Sequence, residues 1–239
     1  YIEATNAYLG QPNIDYEMTD PRQTALKGYT GGLPFPRPFD EADAEKAGRM
    51  IAYNLRYKYT GDDGGFHYGV YWISAEDGVE KTEEWRSRFI ARGVNRTDIE
   101  PIPAIPEFVK AGVASRSMTW AVFPQDKRGF ASLYSRYSEP RDIQGWLYVP
   151  TMRRVMRYAF GTRGEAWNNT DLLYEDVGGY MGYAEWMNWR LLERRTMLLP
   201  MHAGLKSGKK ARDDTYDFNT WPHWNPRMNW EPRAVYVVE

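Results

Sequence analysis

The stretch Arg141-Asp-Ile-Gln-Gly-Trp-Leu-Tyr-Val-Pro-Thr-Met-Arg-Arg-Val-Met-Arg-Tyr158 decides how the chain is read. Ile143, Gly145, Leu147 and Val149 alternate with Gln144, Trp146 and Tyr148, and this period of two marks a strand with two different faces. Pro150 has no N–H to give to a ladder, so the strand is expected to end there. A second strand is expected from Met152 to Tyr158, with Arg153, Val155 and Arg157 on one side and Met152, Arg154, Met156 and Tyr158 on the other. Its three arginines leave two readings open. They keep an exposed edge strand soluble, or they hold carboxylates or an anionic head group at the rim of a cavity. On the second reading Trp146, Tyr148, Arg153, Arg154 and Arg157 are the ligand-binding residues, and at least one arginine pairs with a carboxylate of the domain.

Further strands lie just upstream. Arg116 to Phe123 puts Met118, Trp120 and Val122 on one face, and Phe130 to Tyr137 alternates in the same way. The polar turns Gln125 to Gly129 and Glu139-Pro140 separate them. Strands so closely spaced imply an antiparallel meander. Its twist is expected to curl it about its apolar face into a curved sheet, an incomplete β-barrel.

Asp40 to Tyr59 reads as a helix covering that sheet. Asp40 is a good N-cap, Glu41, Asp43 and Glu45 suit the first turns, and Ala44, Ala47, Ile51 and Leu55 form an apolar stripe. Gly61 to Gly65 is a turn cluster without the ligand spacing of a calcium loop. His67 to Ser74 reads as a strand. Glu83 to Arg92 reads as a short helix, with Trp85 and Phe89 on one side and Gly93 ending it. Trp186 to Leu199 is a long strand or a hairpin. Trp221 to Pro226 is aromatic and proline-rich, so packing should order it and not ladders. Ala234 to Val238 is a last strand, apolar on both sides, and its edges call for cover from further sequence or from a partner strand completing the sheet at Ala234 to Glu239. The class is therefore α+β. Residues 1–39 are expected as an extended, Pro-rich arm, and 40–239 as one sheet-and-helix domain with an insertion near 61–112.

Composition narrows the chemistry. In 239 residues, 31 Lys and Arg stand against 32 Asp and Glu, so no positive field invites nucleic acid. Mean hydropathy is −0.69, and no run nears the roughly 18–20 apolar residues that span a bilayer. The absence of cysteine removes disulfides, thiolate metal sites and a thiol nucleophile. His67, His202 and His223 are far apart, and neither a Gly-x-Ser-x-Gly elbow nor a P-loop is present. No catalytic residue, metal or cofactor is expected, and the reading is not an enzyme. Aromatic residues make up 15% of the chain, enough to line an apolar cavity as well as a core.

Several motifs fall in one order. Trp146-x-Tyr-x-Pro-x-x-Arg-Arg-Val-x-Arg157 resembles the signature of a family of bacterial envelope proteins of unknown function. Gly31-Gly-Leu-Pro-Phe-Pro36 resembles its Gly-x-Pro-Phe-Pro segment, and Asn54-Leu-Arg-Tyr57 part of a helix that reads Trp-Asn-x-x-x-Arg-Tyr. Trp189 to Pro200 and Pro232 to Glu239 resemble its later strands. The resemblance runs from about Gly28 onward and is loose between Gly61 and Gly112. It implies a fold like that of the carriers and receptors of outer-membrane lipoprotein sorting, in the periplasm or at the outer-membrane periphery of a Gram-negative bacterium. It further implies a non-enzymatic carrier of a lipid or other hydrophobic molecule, working with an envelope export system. The competing reading is a structural subunit of a multi-chain envelope or extracellular assembly.

Overall fold

The computed structural model describes residues 2–9, 26, 29, 31–35, 37–139, 141, 143–159, 166, 170–176, 178–202 and 215–239. The helices are α1 (Ile2–Leu9), α2 (Ala44–Arg56) and α3 (Pro106–Ala111). The strands are β1 (Asp63–Ser74), β2 (Gly78–Ile90), β3 (Val113–Phe123), β4 (Ala131–Tyr137), β5 (Gln144–Val149) and β6 (Arg154–Ala159). They continue with β7 (Leu191–Met201), β8 (Tyr216–Asp217), β9 (Asn225–Pro226) and β10 (Asn229–Val238). Of the stretch expected as an extended arm, Ile2–Leu9 is helical. The charged stretch Lys206 to Asp214, which reads from its composition as a surface loop, lies outside the described residues.

The stretch from Arg141 to Tyr158 folds as a hairpin. β5 and β6 pair antiparallel, with Trp146 opposite Arg157 and Tyr148 opposite Val155. Pro150 opens a single 3-10 turn, Pro150–Met152, and Arg153 closes it in the left-handed region at φ 47°. Six strands lie side by side in chain order, β1 to β6, each antiparallel to the next. The class is α+β, as composition and patterning imply.

The curved sheet, or incomplete β-barrel, is not what forms. The six-stranded sheet stays open and is neither closed nor strongly curled. β7 and β10 form a separate two-stranded ribbon instead of extending it. The reason is packing against α2. At Gly48 the helix comes so close to the chain entering β7 that an added Cβ would lie 2.6 Å from the Arg190 nitrogen. A helix bound this tightly holds the ribbon to itself and away from the sheet edge. Ala47, Ala52 and Tyr53 of α2 form the main core with Leu26, Phe35, Phe39, Ala184 and Leu191. Tyr236 and Val238 of β10 join it, with the Phe39 and Tyr236 rings edge to face at 5.1 Å.

Two local expectations also fail. The segment from Glu83 to Arg92 is not a helix: it lies almost wholly in β2. Trp85 and Phe89, four apart, share a face of a strand as readily as of a helix, and the burial alternates, with Glu83, Trp85 and Ser87 buried between more exposed neighbours. The cap of α2 is Asp43 and not Asp40, for the Asp43 carboxylate accepts the Lys46 N–H at 3.1 Å. The buried side of α2 is Ala47, Gly48, Ala52 and Tyr53, turned from the expected stripe by the contact at Gly48.

A seam of buried charge joins these parts. The guanidinium of Arg96, 1% exposed, grips both carboxylate oxygens of Asp63 at 2.9 and 2.7 Å and donates to the Ile99 and Arg92 carbonyls. Asp62 is fully buried, and its Oδ2 accepts three backbone N–H groups, from Thr97, Asp98 and Ile99. The two carboxylates of this turn are thus spent within the protein, Asp62 on backbone N–H groups and Asp63 on Arg96. Arg92 donates to the carbonyls of Tyr57 and Lys58 just past the C-terminus of α2, where the helix dipole favours a cation. Arg56 pairs with buried Glu185 at 3.1 Å. The Tyr183 ring lies between Arg56 and Arg136, at 4.7 and 4.4 Å, and its hydroxyl donates to the Tyr137 carbonyl at 2.9 Å.

Candidate functional site

Directly opposed residues of an antiparallel ladder share a face, so the register across β1 to β6 defines two surfaces. One row runs Arg88, Met118, Leu133, Trp146, Arg157 from β2 to β6. The row beside it runs Arg86, Trp120, Ala131, Tyr148, Val155. Together they make an apolar strip two residues deep, with Arg86 and Arg88 on one flank and Arg157 on the other. At the usual strand spacing the flanks stand about 19 Å apart. The strip is partly open to solvent: Met118 is 44% exposed and Val155 61%, while Trp120, Leu133 and Trp146 are half-buried. Arg86, Arg88 and Arg157 are exposed, and among the described residues none of them has a carboxylate partner. α3 covers only one corner of this face, where Phe108 packs with Val113, Tyr137 and Ile90 and lies under the Arg116 guanidinium.

The opposite face carries Phe66, Tyr68, Trp72, Trp85, Phe89, Leu147 and Met156, mostly half-buried. Its polar groups are satisfied. Ser87 and Ser117 lie 3.4 Å apart through their hydroxyls, as do Tyr68 and Thr119. Glu83, fully buried, accepts from Lys81 at 2.9 Å, from Lys127 and from the Trp85 indole at 3.1 Å. Burial opposes its ionisation, but the two ammonium groups outweigh burial and hold its pKa below the ordinary carboxylate range. Glu185 goes the other way, because burial outweighs Arg56 and its pKa is raised.

The five residues expected to bind a ligand are therefore divided. Trp146, Tyr148 and Arg157 meet on the open face. Arg154 alternates to the opposite face, and Arg153 sits in the turn. The expectation of a carboxylate partner fails, since among the described residues Arg153, Arg154 and Arg157 have none. Arg86 and Arg88 fall outside the expected set, because the spacing of Trp85 and Phe89 in their segment also suits a helix. The alternation of Glu84, Arg86 and Arg88 with Trp85, Ser87 and Phe89 is the signal that finds them.

A cavity of about 720 Å³ lies elsewhere, between the β1–β2 turn and residues 216–227, lined by Tyr71, Glu76, Asp77, Phe218, His223 and Arg227. It holds none of the expected residues. Among the described residues no cluster of His, Asp and Glu is built to hold a metal, and no helix is long and apolar enough to cross a membrane.

Among solved structures the chain is similar to a domain from Vibrio parahaemolyticus described as an outer membrane lipoprotein-sorting protein. The two are 19% identical with a TM-score of 0.44, over 63% of this chain and 55% of that one, so the chain spans only about half of that structure. It is also similar to a DUF1329 family protein from Desulfovibrio piger, 18% identical with a TM-score of 0.48, over 81% of this chain and 73% of the other. No curated protein matches the chain. The sequence profile of a family described as "Protein of unknown function (DUF1329)" matches residues 2–239, starting well before the motifs read from Gly28 onward.

Proposed function

The chain belongs to the DUF1329 family of proteins of unknown function, and on that footing we propose that it is a non-enzymatic binding or carrier protein of the bacterial envelope. Its ligand is a lipid or similar amphiphile with an anionic head group. It works in the periplasm or at the outer-membrane periphery, the setting that the motif resemblance implies.

One observation carries this reading. An apolar strip in which Met118, Tyr148 and Val155 are exposed and Leu133 and Trp146 half-buried is bounded on both sides by arginines that have no carboxylate partner among the described residues. Apolar side chains left in water favour a hydrocarbon chain by about 0.8 kcal/mol per methylene covered. A guanidinium without a partner favours a phosphate or carboxylate and can grip it with two N–H groups. The combination selects amphiphiles over plain hydrocarbons. Arg153 and Arg154 have no part on this face, since the one sits in the turn and the other alternates to the opposite side.

The test is a titration below the critical micelle concentration. Two single-chain lipids with the same acyl chain are compared, one with a phosphoglycerol and one with an uncharged head, and quenching of tryptophan emission is followed. The reading expects saturable binding of both, tighter for the anionic lipid and weakened by salt. No binding of either lipid, or equal binding insensitive to salt, would overturn it.

A further inference from the structure

The outer edge of β10 carries the geometry of a self-pairing strand. Arg190 and Glu239 exchange both of their backbone hydrogen bonds, at 2.9 and 3.0 Å, so the Glu239 backbone faces the β7 side. Backbone direction alternates along a strand, so Val238, Tyr236, Ala234 and Pro232 turn their backbone outward. Pro232 obeys the same parity, for its nitrogen, which has no proton, faces away from the ladder it could not serve. Among the described residues β7 is the only strand paired with β10. The outward groups of residues 234, 236 and 238 have no partner there.

The side chains follow the opposite rule. Tyr236 and Val238 pack into the core. Arg233, Val235, Val237 and Glu239 therefore form a stripe on the other side, positive at one end, negative at the other and apolar between. Arg233 and Glu239 are both exposed, and within the chain Arg233 pairs with Glu231 and Glu239 with Arg190, surface pairs weak enough to be exchanged for a cross-strand partner. Such a stripe is its own complement when reversed.

We propose that β10 pairs antiparallel with β10 of a second copy of this chain, about a two-fold axis at Tyr236. That register sets Ala234 opposite Val238, both with outward backbone groups, so the ladder closes with N–H to C=O bonds in both directions. It sets Val235 opposite Val237, and Arg233 opposite Glu239, in the non-hydrogen-bonded positions where cross-strand side chains come closest. The ladder runs out at Pro232, which has no N–H to give. A C2 axis requires one patch to complement itself, and this one does in its backbone hydrogen-bonding groups and in the order of its charges. The two ribbons become one four-stranded sheet, and the exposed edge disappears.

Sedimentation of the chain over a wide concentration range, with three variants, tests this. The native chain should show a monomer–dimer equilibrium. Ala234→Pro should abolish the dimer while leaving the melting temperature unchanged at concentrations where the native chain is monomeric, because the N–H it removes points away from β7. Arg233→Glu should weaken the dimer by about tenfold or more, since it sets like charges opposite each other twice. The exchange Arg233→Glu with Glu239→Arg should restore it. A chain that stays monomeric at every concentration overturns the proposal and leaves the edge to a different partner or to further sequence. A dimer that survives both Ala234→Pro and Arg233→Glu overturns it too, as does an exchange that fails to rescue.

Discussion

The arginines of the seam and those of the open face are the same chemical group put to opposite use. Inside, Arg96 has both oxygens of Asp63 and two carbonyls, Arg56 has Glu185, and Arg136 has the Gly182 carbonyl and the Tyr183 ring. On the sheet, Arg86, Arg88 and Arg157 stand beside apolar side chains with no carboxylate among the described residues. A buried guanidinium without partners costs several kcal/mol, so the interior has to satisfy each one. An exposed guanidinium is stabilised by water and can stay single, and that leaves it available to a ligand. The first set answers to folding and the second is free to answer to binding.

The most direct way to break the contrast is in the seam. Arg96→Met should cost about 3–5 kcal/mol in urea unfolding, since it removes the partner of Asp63 and strands two carbonyls. A loss below about 1 kcal/mol would put Arg96 in the class of surface charges. Tyr183→Phe should cost about 1–3 kcal/mol by the same measurement, because the Tyr137 carbonyl and N–H, which its hydroxyl serves at 2.9 and 3.2 Å, become unpaired.

A smaller effect separates the two sets by pH. The hydrogen bonds from Arg96 hold the Asp63 pKa below its ordinary value, and the lysines do the same for Glu83 against the effect of burial. A depressed folded pKa gives stability that is present above the ordinary carboxylate range and lost as pH falls through the folded value. Melting temperature should therefore fall as pH drops below that range, and the fall should be shallower in Arg96→Met. Glu185, raised by burial, pulls the other way and relieves strain on protonation. Melting that is independent of pH between neutral and strongly acid conditions would contradict the seam as described.

The smallest expected effect on stability belongs to the open face. Replacing Arg86, Arg88 and Arg157 together by Gln should change unfolding free energy by no more than about 0.5 kcal/mol, because no ion pair among the described residues is lost. A large loss would mean that these arginines serve the fold after all.

Much of the sheet could be read in advance because alternation is a local property. Period alone puts Trp146 and Tyr148 on one side of their strand and Met118 and Trp120 on one side of another, and the register joins the two sides. Arg86 and Arg88 are hidden for an equally local reason. Trp85 and Phe89 satisfy a helical spacing as well as a strand's, and Gly93 looks like a helix stop. Closure of the sheet is not local at all. Whether β7 and β10 join the meander is decided by the approach of Gly48 to Arg190, across well over a hundred residues of chain. The acidic turn was likewise opaque, since the backbone groups that Asp62 serves come from a loop some 35 residues away.

The measurement that bears most directly on the account combines both halves of the comparison in one sample. Affinity for the anionic single-chain lipid and melting temperature are recorded for the native chain and for the variant with Gln at positions 86, 88 and 157. The account predicts that binding weakens at least about tenfold, as expected for losing roughly 1 kcal/mol per basic residue at an anionic head, while melting stays unchanged. Unaltered affinity at unaltered melting would contradict it, for the unpaired arginines would then be no more than solvated charge.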